Sequence, residues 1–299
     1  MGEQLKGRPR LGEKILKGAF FCCASISVVT TIVVICILAF ETYGFFVEIP
    51  ITDFLFGTEW TPLLQPKSYG ILPLLCGTLM IVVGSSIVAL PVGIASAVYL
   101  SEYASDRVRN IVKPVLEILA GIPTVVYGFF ALTFITPMLQ SIFESTHVFN
   151  AASAAIVVGI MVLPMVASMC DDALQSVPDS LREGAYSLGA TSFEVTIRIV
   201  LPAALSGIFA SFVLAISRAI GETMAVTLAA GATPNFTLNP LESIQTMTAY
   251  IVQVSLGDTP AGTLTYKTLF AVAAVLFTLT LLLNLTASSV MRRFKETYE

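Results

Sequence analysis

VPDSLREGAYSLGATSFEVTIRIVLP, residues Val177 to Pro202, is a long stretch of mixed polar and apolar residues set between two membrane-length apolar runs. Ser180 followed by Glu183 has the spacing of a capping box, in which hydroxyl and carboxylate each satisfy an orphan N–H at a helix start. That spacing predicts a helix from about Leu181 to Leu188. Gly189 suits the left-handed residue that ends a helix. Thr191 and Glu194 repeat the box and predict a second helix running toward Leu201–Pro202. Two capped helices bent at a glycine make a compact knob. Gly184, Ala185 and Gly189 are small, so a second backbone can come close.

The flanks are apolar. Of the 299 residues, 56% are hydrophobic and 12% charged, and the mean hydropathy is +0.85. So little charge excludes a soluble domain and predicts an all-α polytopic membrane protein. About 20 helical residues cover the hydrocarbon core. Six charge-poor runs reach that length: Ala19–Phe40, Ile71–Leu100, Ile118–Phe143, Ala151–Cys170, Ile199–Leu228 and Thr268–Met291. The first is too long for a signal-peptide core and has no small-residue cleavage site before Glu41, so it reads as a retained span.

Basic residues orient the chain. Lys6, Arg8, Arg10, Lys14 and Lys17 precede the first run, and Arg107, Arg109 and Lys113 lie between the second and third. Arg182 and Arg198 lie between the fourth and fifth, and Arg292, Arg293 and Lys295 follow the last. The alternate loops hold only Lys67 and Lys267. The positive-inside rule puts both termini and the knob in the cytoplasm. The expected layout is a basic tail at 1–18, a peripheral first span at 19–46 and an external loop at 47–70. A core at 71–291 follows, with the knob at 177–202 and an external loop at 229–266, then a tail at 292–299. Within that second loop Leu241–Leu256 has two readings, a short external helix at a docking surface or a partly disordered segment.

Several residues invite two readings. Trp60 is the single tryptophan, and reads as an interfacial anchor or as a contact for an external protein. Cys22, Cys23, Cys36, Cys76 and Cys170 lack ligand spacing and read as packing residues. His147 stands alone, so no metal cluster forms around it. Asp171–Asp172 read as a solvated helix end. In the second run, Gly84 and Gly93 allow close helix packing, and Pro91 predicts a kink. Thr124 and Tyr127 offer hydroxyls at the start of the third.

The fifth run carries charge, in ISRAIGETMAV from Ile216 to Val226. Arg218 and Glu222 are four residues apart, hence on one face of a continuous helix and able to pair. Charges within a bilayer face a bundle interior or a water-filled cavity. One reading makes Arg218 the lining of an anion path, its fork donating parallel hydrogen bonds to a tetrahedral oxyanion. Glu222 then holds the fork and accepts from a protonated phosphate oxygen, and Thr223 adjoins them. The other reading is an ion pair that only fixes packing.

Glu183-Gly184-Ala185, three residues, Gly189, nine residues, Ile199, one residue and Leu201-Pro202 resemble the EAA signature of ABC importer permeases, except that Gly184 stands where that family usually has alanine. The resemblance implies a MetI-like type I fold of six transmembrane helices, with the knob as cytoplasmic coupling helix. Glu183, Ala185, Leu188, Gly189 and Ala190 become the ATPase-coupling residues. AGIPTVVYGFF (120–130), FGTEW (56–60) and GETMAV (221–226) further resemble phosphate-importer permeases of the PstC type.

That resemblance implies a PstA-type permease partner, a PstB-type ATPase homodimer and a PstS-type external phosphate-binding protein. It also implies residence in the bacterial plasma membrane, with no catalysis and no nucleic acid. The chain has no Gly-Lys dipeptide, hence no Walker A loop. No cofactor is expected in it, and ATP and Mg belong to the partner ATPase. The alternatives are a permease for molybdate or sulfate, a secondary anion transporter working without ATP, and a membrane scaffold.

Overall fold

The computed structural model describes residues 11–294; the tail residues 1–10 and 295–299 lie outside them. Helix α1 (Leu11–Phe46) is a single apolar helix, followed by the short α2 (Ile51–Phe56). Helix α3 (Leu72–Val98) runs on through Pro91 into a π-helical turn at Tyr99–Tyr103. Helix α4 (Asp106–Ala120) then takes the first residues of the expected third span. That span begins only at α5 (Thr124–Phe130), because the chain turns at Gly121–Pro123, and it continues through a π turn into α6 (Thr136–Ile142). On α4, Val108, Ile111, Val115 and Ile118 recur at helical spacing and are all exposed, which makes it amphipathic.

Helix α7 (Ala151–Gln175) is the centre of the bundle, with Asn150 capping its start by accepting from the Ser153 N–H at 2.8 Å. The knob holds α8 (Asp179–Ser187) and α9 (Ser192–Val195); the latter continues through a π turn into α10 (Leu201–Ala203). Helix α11 (Leu205–Gly221) and α12 (Met224–Ala230) follow. Last come α13 (Met247–Leu256) and α14 (Leu264–Phe294).

Among the described residues, five helical segments are long and apolar enough to cross a membrane. The bent pair Ser192–Ala203 and Leu205–Gly221, with 68° between its halves, brings the number to six when it is counted as one span. The expected fifth span is thus no single helix.

The main core forms where α3 and α7 lie against each other. A Cβ added at Gly84 would stand 2.7 Å from the Ala155 Cβ, and one at Gly93 2.6 Å from Val166. The small residues of the second run are what let these backbones approach. Helix α11 packs on α7, α3 and α14, and α12 on α5 and α7. Helix α1 lies along α14 with most of its apolar side chains outward.

A second core lies at the end of the bundle opposite the knob, and corrects two expectations. Trp60 is 2% exposed and meets Tyr250 edge to face at 4.9 Å, among Phe45, Phe54 and Leu74. Its ring is packing, neither an interfacial anchor nor a contact surface. The helix expected over Leu241–Leu256 starts only at Met247, and its first four residues are buried. Ile244, Gln245 and Thr246 before it are buried too. Residues 244–250 thus fold back into the bundle, while Leu238 and Leu256 on either side of them stay exposed.

Candidate functional site

The knob follows the sequence in its second half. Thr191 Oγ1 accepts from the Glu194 N–H at 3.3 Å, and Glu194 Oε2 accepts from the Thr191 N–H at 3.0 Å, completing the capping box. The Thr191 backbone N–H, then its hydroxyl, holds Glu194 below the usual carboxylate range. The box therefore contributes above that range and is lost as pH falls through the depressed value.

Gly189 has φ +84°, the left-handed turn expected of it. The Gly189 N–H reaches Tyr186 O at 2.9 Å and the Ala190 N–H reaches Ala185 O at 3.2 Å, a Schellman closure of α8. The first capping box does not form. The chain enters α8 through Pro178, so Ser180 sits inside the helix and no side chain caps it.

Of the expected coupling residues, Glu183, Leu188 and Gly189 are exposed and Ala190 is half-buried. Ala185 turns inward, 8% exposed, and packs in the chain's own core. Leu188 stands 90% exposed, with Tyr186 and Phe193 also uncovered. Sequence reasoning missed those two aromatics, though their spacing from Leu188 was in plain view.

Charge at the base of the knob was also missed. Asp171 is buried, with Arg109 Nη2 at 3.0 Å and Lys113 Nζ at 3.4 Å from its carboxylate. Asp172 accepts from Lys113, and that bond raises the lysine above its usual range. Asp171 is therefore not part of a solvated helix end, whereas Asp172 is 63% exposed as expected. Asp171 ties α4 to α7, a long-range contact that the local sequence cannot signal.

The second cluster lies where α11 breaks. The expected Arg218–Glu222 pair is absent: among the described residues no ion pair or hydrogen bond joins them. The helix stops at Gly221, and Glu222 is extended with φ −67° and ψ 133°. Four-residue spacing puts side chains on one face only while the helix continues. Glu222 is buried, and its Oε1 accepts from the Ala225 N–H at 3.1 Å, holding the start of α12.

Hydroxyls satisfy carbonyls freed by the break. Thr248 Oγ1 donates to Glu222 O at 2.8 Å, and Thr223 Oγ1 to Gly221 O at 3.1 Å. Thr227 Oγ1 adds a bond at 2.7 Å to Thr223 O, which already accepts the Thr227 N–H at 2.9 Å. Broken helices are tolerated at membrane depth where such partners exist.

Arg218 is exposed on the last turn of α11, without an ion pair or hydrogen bond among the described residues. Tyr127 lies on α5, which packs on α12 just past the break. The Tyr127 hydroxyl is engaged with Leu119 O at 3.0 Å. Thr124 opens α5 half-buried, and Thr223 is half-buried at the break. The structure thus gathers Arg218, Glu222, Thr223 and Tyr127 around one discontinuity. The described residues contain no group of His, Cys, Asp and Glu able to hold a metal.

A family model described as binding-protein-dependent transport system inner membrane component matches residues 89–296. A probable ABC transporter permease protein, YqgH of Bacillus subtilis, is 34% identical, aligned over 77% of this chain and 74% of that protein. The phosphate transport system permease protein PstC of Mesorhizobium japonicum is 31% identical over 85% of this chain and 80% of its own. PstC 1 of Mycobacterium tuberculosis is 34% identical over 82% of each.

Among solved structures, a bacterial ABC transporter involved in import of the acidic polysaccharide alginate aligns with TM-score 0.63 at 16% identity, over 96% of this chain and 100% of that one. The MetNI methionine ABC transporter, inward facing, aligns with TM-score 0.56 at 18% identity, over 76% and 95%. At these identities the likeness shows the fold alone.

Proposed function

Because this chain belongs to the family of binding-protein-dependent transport system inner membrane components, we propose that its cargo is inorganic phosphate and that Arg218 lines the route. Its fold is that of type I ABC importer permeases. It is a multi-pass inner-membrane subunit, not an enzyme. In an ABC importer, hydrolysis belongs to an ATPase and capture of cargo to a binding protein. The finer reading gives it a PstA-type second permease, a PstB-type ATPase pair and a PstS-type receptor, with both termini in the cytoplasm. ATP and Mg reside on the ATPase.

One observation carries the cargo: an exposed guanidinium at a helix break, in a chain about one-third identical to phosphate permeases along most of its length. A lipid-facing arginine at this depth is costly, so the Arg218 face meets a second membrane chain or water. With two membrane chains, that face becomes one wall of a shared cavity. Guanidinium in such a wall exchanges the hydration of phosphate for forked hydrogen bonds. Glu222, held at α12, fixes the shape of the break and not the arginine.

The exposed Leu188, Tyr186 and Phe193 form the contact with the ATPase. Closure of the ATPase pair on ATP draws the two knobs together and opens the cavity outward, where the receptor delivers phosphate. Hydrolysis resets the bundle. Each partner must favour one of its two states for this to work.

The test is uptake of radiolabelled phosphate by vesicles holding the four-component complex. ATP-dependent uptake that unlabelled phosphate suppresses, and that sulfate and molybdate do not, is expected. Preferential suppression by sulfate or molybdate would reassign the cargo, and uptake independent of ATP would contradict the mechanism.

A further inference from the structure

In the sequence Arg182 is one more positive charge that orients the chain. In the structure its side chain is drawn inward, 15% exposed. Nη2 donates to Leu174 O at 2.9 Å and to Glu102 Oε1 at 3.2 Å. Nη1 donates to Val177 O at 2.6 Å and to Asp179 Oδ1 at 3.1 Å.

The partners define what this does. Leu174 lies in the last turn of α7, where helix carbonyls lack intrahelical donors. Glu102 lies in the π turn that ends α3, and its side chain is 6% exposed. Arg182 itself is on α8, the first helix of the knob. One guanidinium therefore binds the knob to the ends of the two most closely packed helices of the bundle. Between α7 and α8 the backbone is only a short linker around Val177–Pro178. Ala185 and Leu181 pack α8 on the core, and the guanidinium adds fixed polar bonds where packing alone would resist rotation about the linker.

We propose that Arg182 is the positioning residue that makes the knob and the α3–α7 pair one rigid lever. Force applied at α8 then reaches the spans instead of bending the linker. The fork is what the role demands. Its donors point in fixed, divergent directions in one plane, and the ammonium of lysine cannot span these acceptors together.

Two measurements on the assembled complex test this. The first needs no cargo. Spin labels are placed at Ser105→Cys and Ser187→Cys, both exposed positions, in a background lacking the five native cysteines. A narrow distance that is the same without nucleotide and with ATP trapped is expected, and Arg182→Gln should broaden it. A distance that shifts between the two states in the chain retaining Arg182 would overturn the proposal.

The second reads phosphate carried per ATP hydrolysed, and so rests on the cargo proposed above. Arg182→Gln should lower that ratio about tenfold with the complex still assembled and hydrolysing. Arg182→Lys should restore it only in part. Asp179→Asn, which alters an 88% exposed partner, should leave it near the parent value. Equal loss of assembly, hydrolysis and uptake in Arg182→Gln would reduce Arg182 to a stability residue and overturn the lever. If the unmodified complex carries no phosphate, the cargo reading fails while the spin-label distances still decide the lever.

Discussion

A guanidinium that meets no acceptor among the described residues of its own chain, on a helix built for a bilayer, requires something outside that chain to answer it. Arg218 is in that position, and Glu222 is not its partner. The two residues should therefore respond differently to substitution. Glu222→Gln keeps an oxygen for the Ala225 N–H and should retain most uptake. Glu222→Ala leaves that buried donor unmet and should cost about 1–3 kcal/mol of stability, read as a lowered melting temperature in detergent. Equal loss of uptake in both would return the carboxylate charge to the transport step.

Trp60 offers a second contrast. Trp60→Ala empties a packed site and should cost about 3–5 kcal/mol, seen in thermal unfolding. Receptor affinity of the complex that does assemble should be unchanged. A stable variant that has lost receptor binding would restore the docking reading.

At the scale of elements, the knob was legible because its signals are local. Gly189 and the Thr191–Glu194 box act within a few residues of themselves, and both formed as their spacing required. Ser180–Glu183 has the same spacing and failed, since Pro178 moved the helix start forward. The break after Gly221 escaped notice because the apolar run continues across it. What stabilises it is Thr248, far along the chain. The burial of Asp171 and of the first turn of α13 was hidden for the same reason: their partners are distant in sequence and close in space.

The knob makes its own predictions. At Gly184 an added Cβ meets nothing within 4 Å, so Gly184→Ala should stabilise α8 by about 0.5–1 kcal/mol. At Gly189 the space is also open, but φ +84° penalises any side chain. Gly189→Val should cost more than about 1 kcal/mol and leave ATP hydrolysis running while uptake falls. Unchanged coupling in that variant would remove the hinge from the mechanism.

For the whole molecule, the proposed mechanism needs the knob and the α11–α12 break to act as one. The knob presents Leu188 and Phe193 outward, and the α11–α12 break presents Arg218. Between them lie α3 and α7, packed so closely that methyl groups are excluded at Gly84 and Gly93. A bundle packed this tightly transmits displacement instead of absorbing it. The composition announced a membrane protein and the EAA spacing its family. Neither revealed that the fifth crossing bends by 68° at the knob end and stops short of its apolar limit.

The role of Arg218 is tested by Arg218→Gln in vesicles carrying the complete complex, with phosphate uptake and ATP hydrolysis measured together. An assembled complex that still hydrolyses ATP and carries almost no phosphate is expected. Uptake at the parent rate in that variant would take Arg218 out of the route.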